Sequence, residues 1–425
     1  MKVKSTRVTA TESRNGTGWL FGKAHWLLLA IFFMVLAQML MSLPIVKRWS
    51  ASISGPAPKE IAASQKRHLT GAPKPWGDIE CEPFILEPPD EFISNTPLPA
   101  DERDWHFTAD THKELQAEFS SFDLTSEQKG MLQDAAKWRS STNGFYFSPE
   151  SRLVLTLSPR ARQQIYSLLA ASSKNVYQFN PFCFHAGTVE EHFADSEVPY
   201  EALGMVKSLL YQRDQSMCFS DISVFDDLPV RDRRRLLKTL TRIPVVFMKL
   251  RLTPESDLDA LVSYWGKQGN AKHVKPLLQR LVRIPGGTTI DIAHLLPPFA
   301  RKRLLTFPAP SPTREWEKQD CFWTAMNFFL DQPDDRVAKL DYTFNSIKKD
   351  YFEVQGDPAF GDMLALVSAN GKVKHVCTFI ADDVVFTKNG GHYLQPWALM
   401  KISDMLAKYP ADPPLQRIVL RSNKS

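Results

Sequence analysis

Hydrophobic residues along the chain follow several patterns in turn. From Ala24 to Leu43 they are almost continuous, interrupted by His25, Trp26 and Gln38. A helical run of about 20 such residues is apolar on every side and long enough to cross a bilayer. Trp19, Trp26 and Trp49 stand near its two ends, where interfacial anchors sit. The pattern predicts a transmembrane helix over 24–43 behind a short tail at 1–23, with the lipid bilayer as its partner. Residues 44–105 lose the long apolar runs, and nine prolines fall between 50 and 105. That composition predicts a semi-extended linker.

Residues 106–310 return to helical spacing. Helices are expected over 110–122, 126–138, 160–171, 201–213, 254–265 and 274–282, with Leu153–Leu157 as a short strand, which makes a mainly helical middle domain. The stretch 229–243 is amphipathic: Arg231, Arg235, Lys238 and Arg242 lie opposite Leu236, Leu237, Leu240 and Ile243. A solvated helix face is the expected role of such a stripe, and contact with anionic headgroups or an acidic polymer is the alternative. Phe307–Pro312 reads as a short stiff linker.

A third pattern begins at Asp320. Phe322, Met326 and Phe329 recur at i, i+4 and i+7, Trp323 and Leu330 widen the face, and Asp320 is placed to cap the helix. Cys321 then falls in the first turn, where unpaired N–H groups and the helix dipole favour a thiolate. Three apolar β-type runs follow: Met363–Val367, His375–Ala381 and Val384–Lys388. Asn370-Gly371 is a hairpin signal between the first two, and Asn389-Gly390-Gly391 closes the third. The order is a helix opened by Cys321, then a three-stranded antiparallel meander with His375 heading its second strand. Gly361-Asp362 stands directly before the first strand.

Asp-Cys opening an apolar helix, Gly-Asp before an apolar strand and His-Val heading the next strand together resemble the NlpC-type cell-wall cysteine peptidases. The resemblance covers roughly residues 314–410, with 411–425 left as a tail. It implies an α+β, papain-like fold, Cys321 as nucleophile and His375 as general base. It also implies a polar residue that orients the imidazole from the following strand, where this chain offers Thr387 or Asn389. Where the family has small residues after the Cys, this chain has Phe322-Trp323. The implied chemistry is hydrolysis of amide bonds, in cell-wall peptides as the expected substrate. Acyl transfer to another acceptor would use the same residues. A non-catalytic envelope protein that keeps the fold as a binding or scaffolding module is the alternative. Basic residues flank the apolar run on both sides, so charge does not orient it. The resemblance favours an uncleaved, single-pass anchor with the body on the extracytoplasmic, periplasmic side.

Composition narrows the remaining classes. A chain of 425 residues accommodates two or three domains. The net charge of +5 is modest for that length, so nucleic acid is not an expected partner. Cysteines at 81, 183, 218, 321 and 377 form no CxxC pair and no zinc spacing, and an odd number leaves at least one free thiol. His185, Glu190, Glu191, His192 and Asp195 cluster locally but match no zinc motif and read as a polar surface segment. No metal or cofactor is expected. Serine-hydrolase elbows, phosphate loops and dinucleotide turns are absent from the sequence.

Overall fold

The computed structural model describes residues 74–98 and 104–424. The expected tail, the span at 24–43 and most of the linker lie outside the described residues. The elements below all belong to one compact unit. None of the described helices is long and apolar enough to cross a membrane.

The fold is mixed α+β. In chain order the described strands are β1 (Asp78–Leu86), β2 (Trp105–Phe107), β3 (Trp138–Ser141), β4 (Gly144–Phe147), β5 (Phe182–His185), β6 (Tyr211–Arg213), β7 (Ser216–Phe219), β8 (Ile243–Leu252), β9 (Thr288–Asp291), β10 (Tyr351–Glu353), β11 (Met363–Val367), β12 (Val373–Ala381), β13 (Val384–Thr387), β14 (Ala398–Lys401) and β15 (Gln416–Ser422). They form a six-stranded sheet, β10-β15-β11-β12-β13-β14, and three small sheets, β1-β8-β9, β2-β4-β3 and β5-β7-β6. All registered neighbours are antiparallel.

The large sheet contains the expected meander as β11-β12-β13. Its strands are buried on both faces, which is why they read as continuous apolar runs. Residues 411–425 are more than a tail, because β15 lies between β10 and β11. One core runs from Val246, Leu250, Trp265 and Phe299 through Trp323 and Phe328 to Ile380, Phe386 and Trp397. Helix Cys321–Met326 and the sheet therefore share their core with residues on the other side of the 307–312 linker. The opposite face buries Leu364, Cys377, Phe379, Val385 and Met400 against Val245 and Met405.

Several expectations need correction. The linker placed over 44–105 does not extend that far, because Asp78–Leu86 pairs along its whole length with β8 and Asp90–Asn95 is helical. Pro83 is tolerated because β1 is an edge strand. The middle region holds small sheets as well as helices. Leu153–Leu157 belongs to helix Ser151–Thr156 and not to a strand, since a five-residue apolar run carries no period that separates the two. Helix Cys321–Met326 is short and buries Trp323, Thr324 and Ala325, while Phe322, Met326 and Phe329 are only partly covered. The basic helix is Val230–Leu240, and most of its cations are paired with carboxylates, while Arg234 donates to the Ile93 and Thr96 carbonyls. Arg231 and Arg235 meet Asp232, Arg235 also reaches Glu197, and Lys238 reaches Glu87 and Asp90. Arg242 holds Glu87 just beyond the helix.

Gly361-Asp362 has a structural role. The backbone at Gly361 has φ +87°, and an added Cβ would lie 2.2 Å from the Phe329 ring. Asp362 accepts from the Ala359 N–H at 2.7 Å and from Arg421 Nε at 2.9 Å and Nη2 at 2.6 Å, locking the start of β11 to β15. Gly361→Ala combines a left-handed backbone with a ring clash, so it is expected to destabilise by about 2–4 kcal/mol. The urea midpoint of the variant checks this.

Candidate active site

Asp320 caps helix Cys321–Met326 by accepting the Trp323 N–H at 2.9 Å. Of the two bulky residues after the cysteine, Trp323 is a core anchor. Its ring packs between Phe299 and Trp397, its Nε1 donates to Asp335 at 3.0 Å, and the Arg303 guanidinium lies 4.9 Å from its centroid. Trp397 Nε1 in turn donates to Thr324 Oγ1 at 3.0 Å. The helix is thus fixed by its first two turns, and Cys321, partly buried, is held at its mouth.

The sulfur faces β12. The backbone N–H groups of Val376 on β12, of Phe322 and of Cys321 itself act to lower the pKa of the thiol. These donors favour a thiolate, but burial outweighs them and the Asp320 carboxylate repels it, so the thiol is pushed up to about 12. The thiolate expected from the helix terminus is therefore not the resting form.

His375 is fully buried at the head of β12. Its Nε2 lies 2.8 Å from Thr387 Oγ1 on β13, and the Tyr409 ring stacks on it at 4.5 Å and 19°. Nδ1 is buried with no hydrogen-bond partner, and Cys321 makes no hydrogen bond to it. Burial holds the imidazole down to about 3, so it is neutral at ordinary pH. Of the two candidates for the orienting residue, Thr387 meets the imidazole. Asn389 instead points its Nδ2 at Met400 Sδ, 3.2 Å away. Cys377 is buried on β12 with its thiol toward the Leu364 carbonyl, and burial pushes it far up.

Two neighbours were not legible as site residues in the sequence. Lys388, directly after β13, is fully buried, and its Nζ donates to the carbonyls of Gly390 at 2.7 Å and His392 at 3.1 Å. Burial lowers its pKa to about 7, while the Asp320 carboxylate pulls the other way. A lysine ending an apolar strand was the available signal. Tyr409 comes from beyond helix Ile402–Leu406, and nothing in the sequence pointed to it. Trp316, Tyr393 and Leu394 pack with Ile93 and Leu237, which ties the loop after Lys388 to the middle region.

Lys388 has a pH signature. A folded pKa below the unfolded value means the unfolded chain binds more protons between them, so this contribution to stability grows as pH rises from about 7 toward the ordinary lysine value of 10.5. It is lost as pH falls through about 7. In urea titrations across that range, Lys388→Met is expected to show a smaller rise in stability with pH than the native chain.

The other candidate cluster separates. His192 is buried, not on a polar surface, and its Nε2 lies 3.0 Å from the Thr239 carbonyl oxygen. His185 lies instead 3.6 Å from Asp404. No group of metal-ligating side chains occurs among the described residues. No protein-family model, curated protein or solved structure matches the chain.

Proposed function

We propose that the chain is a membrane-anchored, NlpC-like cysteine hydrolase that cleaves amide bonds, with cell-wall peptides as substrate class. In this proposal residues 24–43 anchor it in the bilayer with the body outside the cytoplasm. The observation that carries the chemistry is the state of His375. Its Nε2 is engaged by Thr387, while Nδ1 is buried and unpartnered on β12, whose Val376 backbone acts to lower the Cys321 pKa. With Nε2–H donating to the threonine oxygen, Nδ1 carries the lone pair of a base.

With the thiol near 12 and the imidazole near 3, both groups rest neutral. The mechanism is therefore general-base attack, not reaction of a standing ion pair. Nδ1 takes the thiol proton as sulfur bonds to the amide carbonyl carbon. N–H groups at the helix start stabilise the oxyanion. The same proton passes to the leaving amine as the C–N bond breaks, leaving a thioester on Cys321. Water, deprotonated by Nδ1, then releases the acid.

The missing hydrogen bond between Cys321 and His375, with both groups strongly shifted by burial, favours one other reading: a catalytically silent binding or scaffolding module. The test incubates the full chain with cross-linked and linear wall peptides and follows new amines and an acyl adduct on Cys321 by mass spectrometry. Cleavage lost in Cys321→Ser supports the hydrolase. Intact peptides and no adduct, or cleavage that survives the substitution, overturn it and leave the scaffold.

A further inference from the structure

The middle region contains a second sulfur site. Strands β5 and β7 pair antiparallel with Cys183 directly opposite Cys218. Their sulfurs are 3.5 Å apart, and both residues are buried, in the core that includes Trp105, Tyr166 and Tyr211. Residues opposed in an antiparallel ladder have Cα separations of about 4.5–5.5 Å, inside the window a disulfide spans. Closing the sulfurs to about 2.05 Å requires side-chain rotation and no change of register.

We propose that Cys183 and Cys218 form a cross-strand disulfide when the chain meets a disulfide oxidant. The inference rests on the strand register and sulfur contact alone, so it stands or falls independently of the hydrolase. The reaction is exchange with an external disulfide such as oxidised glutathione. The Cys183 thiolate attacks one sulfur of that disulfide, giving a mixed disulfide and one free thiol. Cys218 loses its proton and attacks the Cys183 sulfur, expelling the second thiol. Two protein thiols and one disulfide become one protein disulfide and two small thiols.

The cross-link would clamp two strands that grip the candidate site from behind. Cys183 gives its carbonyl to Lys408 Nζ at 2.8 Å, and Ser216 on β7 donates to the Ala407 carbonyl at 2.8 Å. Tyr409, which follows Lys408, is the residue stacked on His375. Joining β5 to β7 thus braces the segment that covers the imidazole.

The decisive experiment uses the wild-type full chain. It is unfolded with reductant, refolded in a glutathione redox buffer, quenched with an alkylating agent and digested without reduction. The expected result is a peptide pair joined through Cys183 and Cys218, about 2 Da lighter than the sum of its reduced halves. Cys321 should remain in alkylated form. Thermal unfolding of the oxidised chain is expected about 5 °C or more above the reduced chain. Both thiols recovered alkylated, a persistent glutathione adduct on either, or pairing of either with Cys81 would overturn the proposal. A wall-peptide assay that fails while the linked peptide is found rejects the hydrolase and leaves the disulfide standing.

Discussion

His375→Ala is expected to lower formation of the Cys321 acyl adduct by about 10³-fold, the usual scale for loss of a positioned general base. The pH dependence makes this a test of mechanism as well as of importance. The imidazole is held down to about 3, so it is an available base across the neutral range, and dyad-driven acylation should be flat from about pH 5 to 8. Direct alkylation by iodoacetamide has no such help. It follows the thiolate fraction, so with the thiol near 12 its rate should climb about tenfold per pH unit from 7 to 11. The two profiles diverge only if the protein supplies the base during attack. In His375→Ala the residual acylation should acquire the steep profile of alkylation. An alkylation plateau below about pH 8 would instead reveal a standing ion pair, contrary to the burial of both groups.

The largest stability effect is expected in the middle region. Arg162 is buried in helix Pro159–Leu169 and meets Asp221, itself nearly inaccessible. Its Nη2 also donates to the Val154 carbonyl at 2.7 Å, and Tyr166 OH donates to the same aspartate. Removing one partner leaves the other charge buried and unmatched, so Arg162→Met should cost about 3–5 kcal/mol. Burial raises Asp221 while Arg162 holds it down, so in the variant the carboxyl should take up a proton. The combined change Arg162→Met, Asp221→Leu removes both charges and should recover much of the loss. Urea unfolding of the single and double variants measures both effects. A single variant within about 1 kcal/mol of the native chain would show that water or rearrangement satisfies the aspartate.

What the sequence disclosed follows from how local each signal is. Asp320 before Cys321 announces a cap, and the runs at 363–367, 375–381 and 384–388 announce buried strands, because cap and strand chemistry act over a few residues. The alternatives Thr387 and Asn389 could not be separated that way. The register shifts in β12 between Phe379 and Ala381, and that irregularity helps decide which β13 side chain meets the imidazole. Lys388, Tyr409 and the β5–β7 contact depend on residues distant in the chain. The burial that opposes a Cys321 thiolate is equally non-local: the helix start is visible in the sequence, but what covers it is not. β1 was hidden by its own composition. Asp78, Glu80 and Glu82 lie on its exposed side, and a proline sits in its middle, so an edge strand resembled a linker.

That edge strand also determines how the molecule would bear a load. A pull on the chain ahead of Lys74, directed along β1, acts across ladder bonds that run perpendicular to the strands. The nine residues of β1 then resist in shear, sharing the force among their pairings, and do not peel apart one pair at a time. Tension arriving from the N-terminal side is taken up by β1 and β8 before it reaches the strand that holds His375 or the helix that holds Cys321. If residues 24–43 anchor the chain as proposed, this grip makes β1 a strain relief that keeps drag from that side off Cys321 and His375.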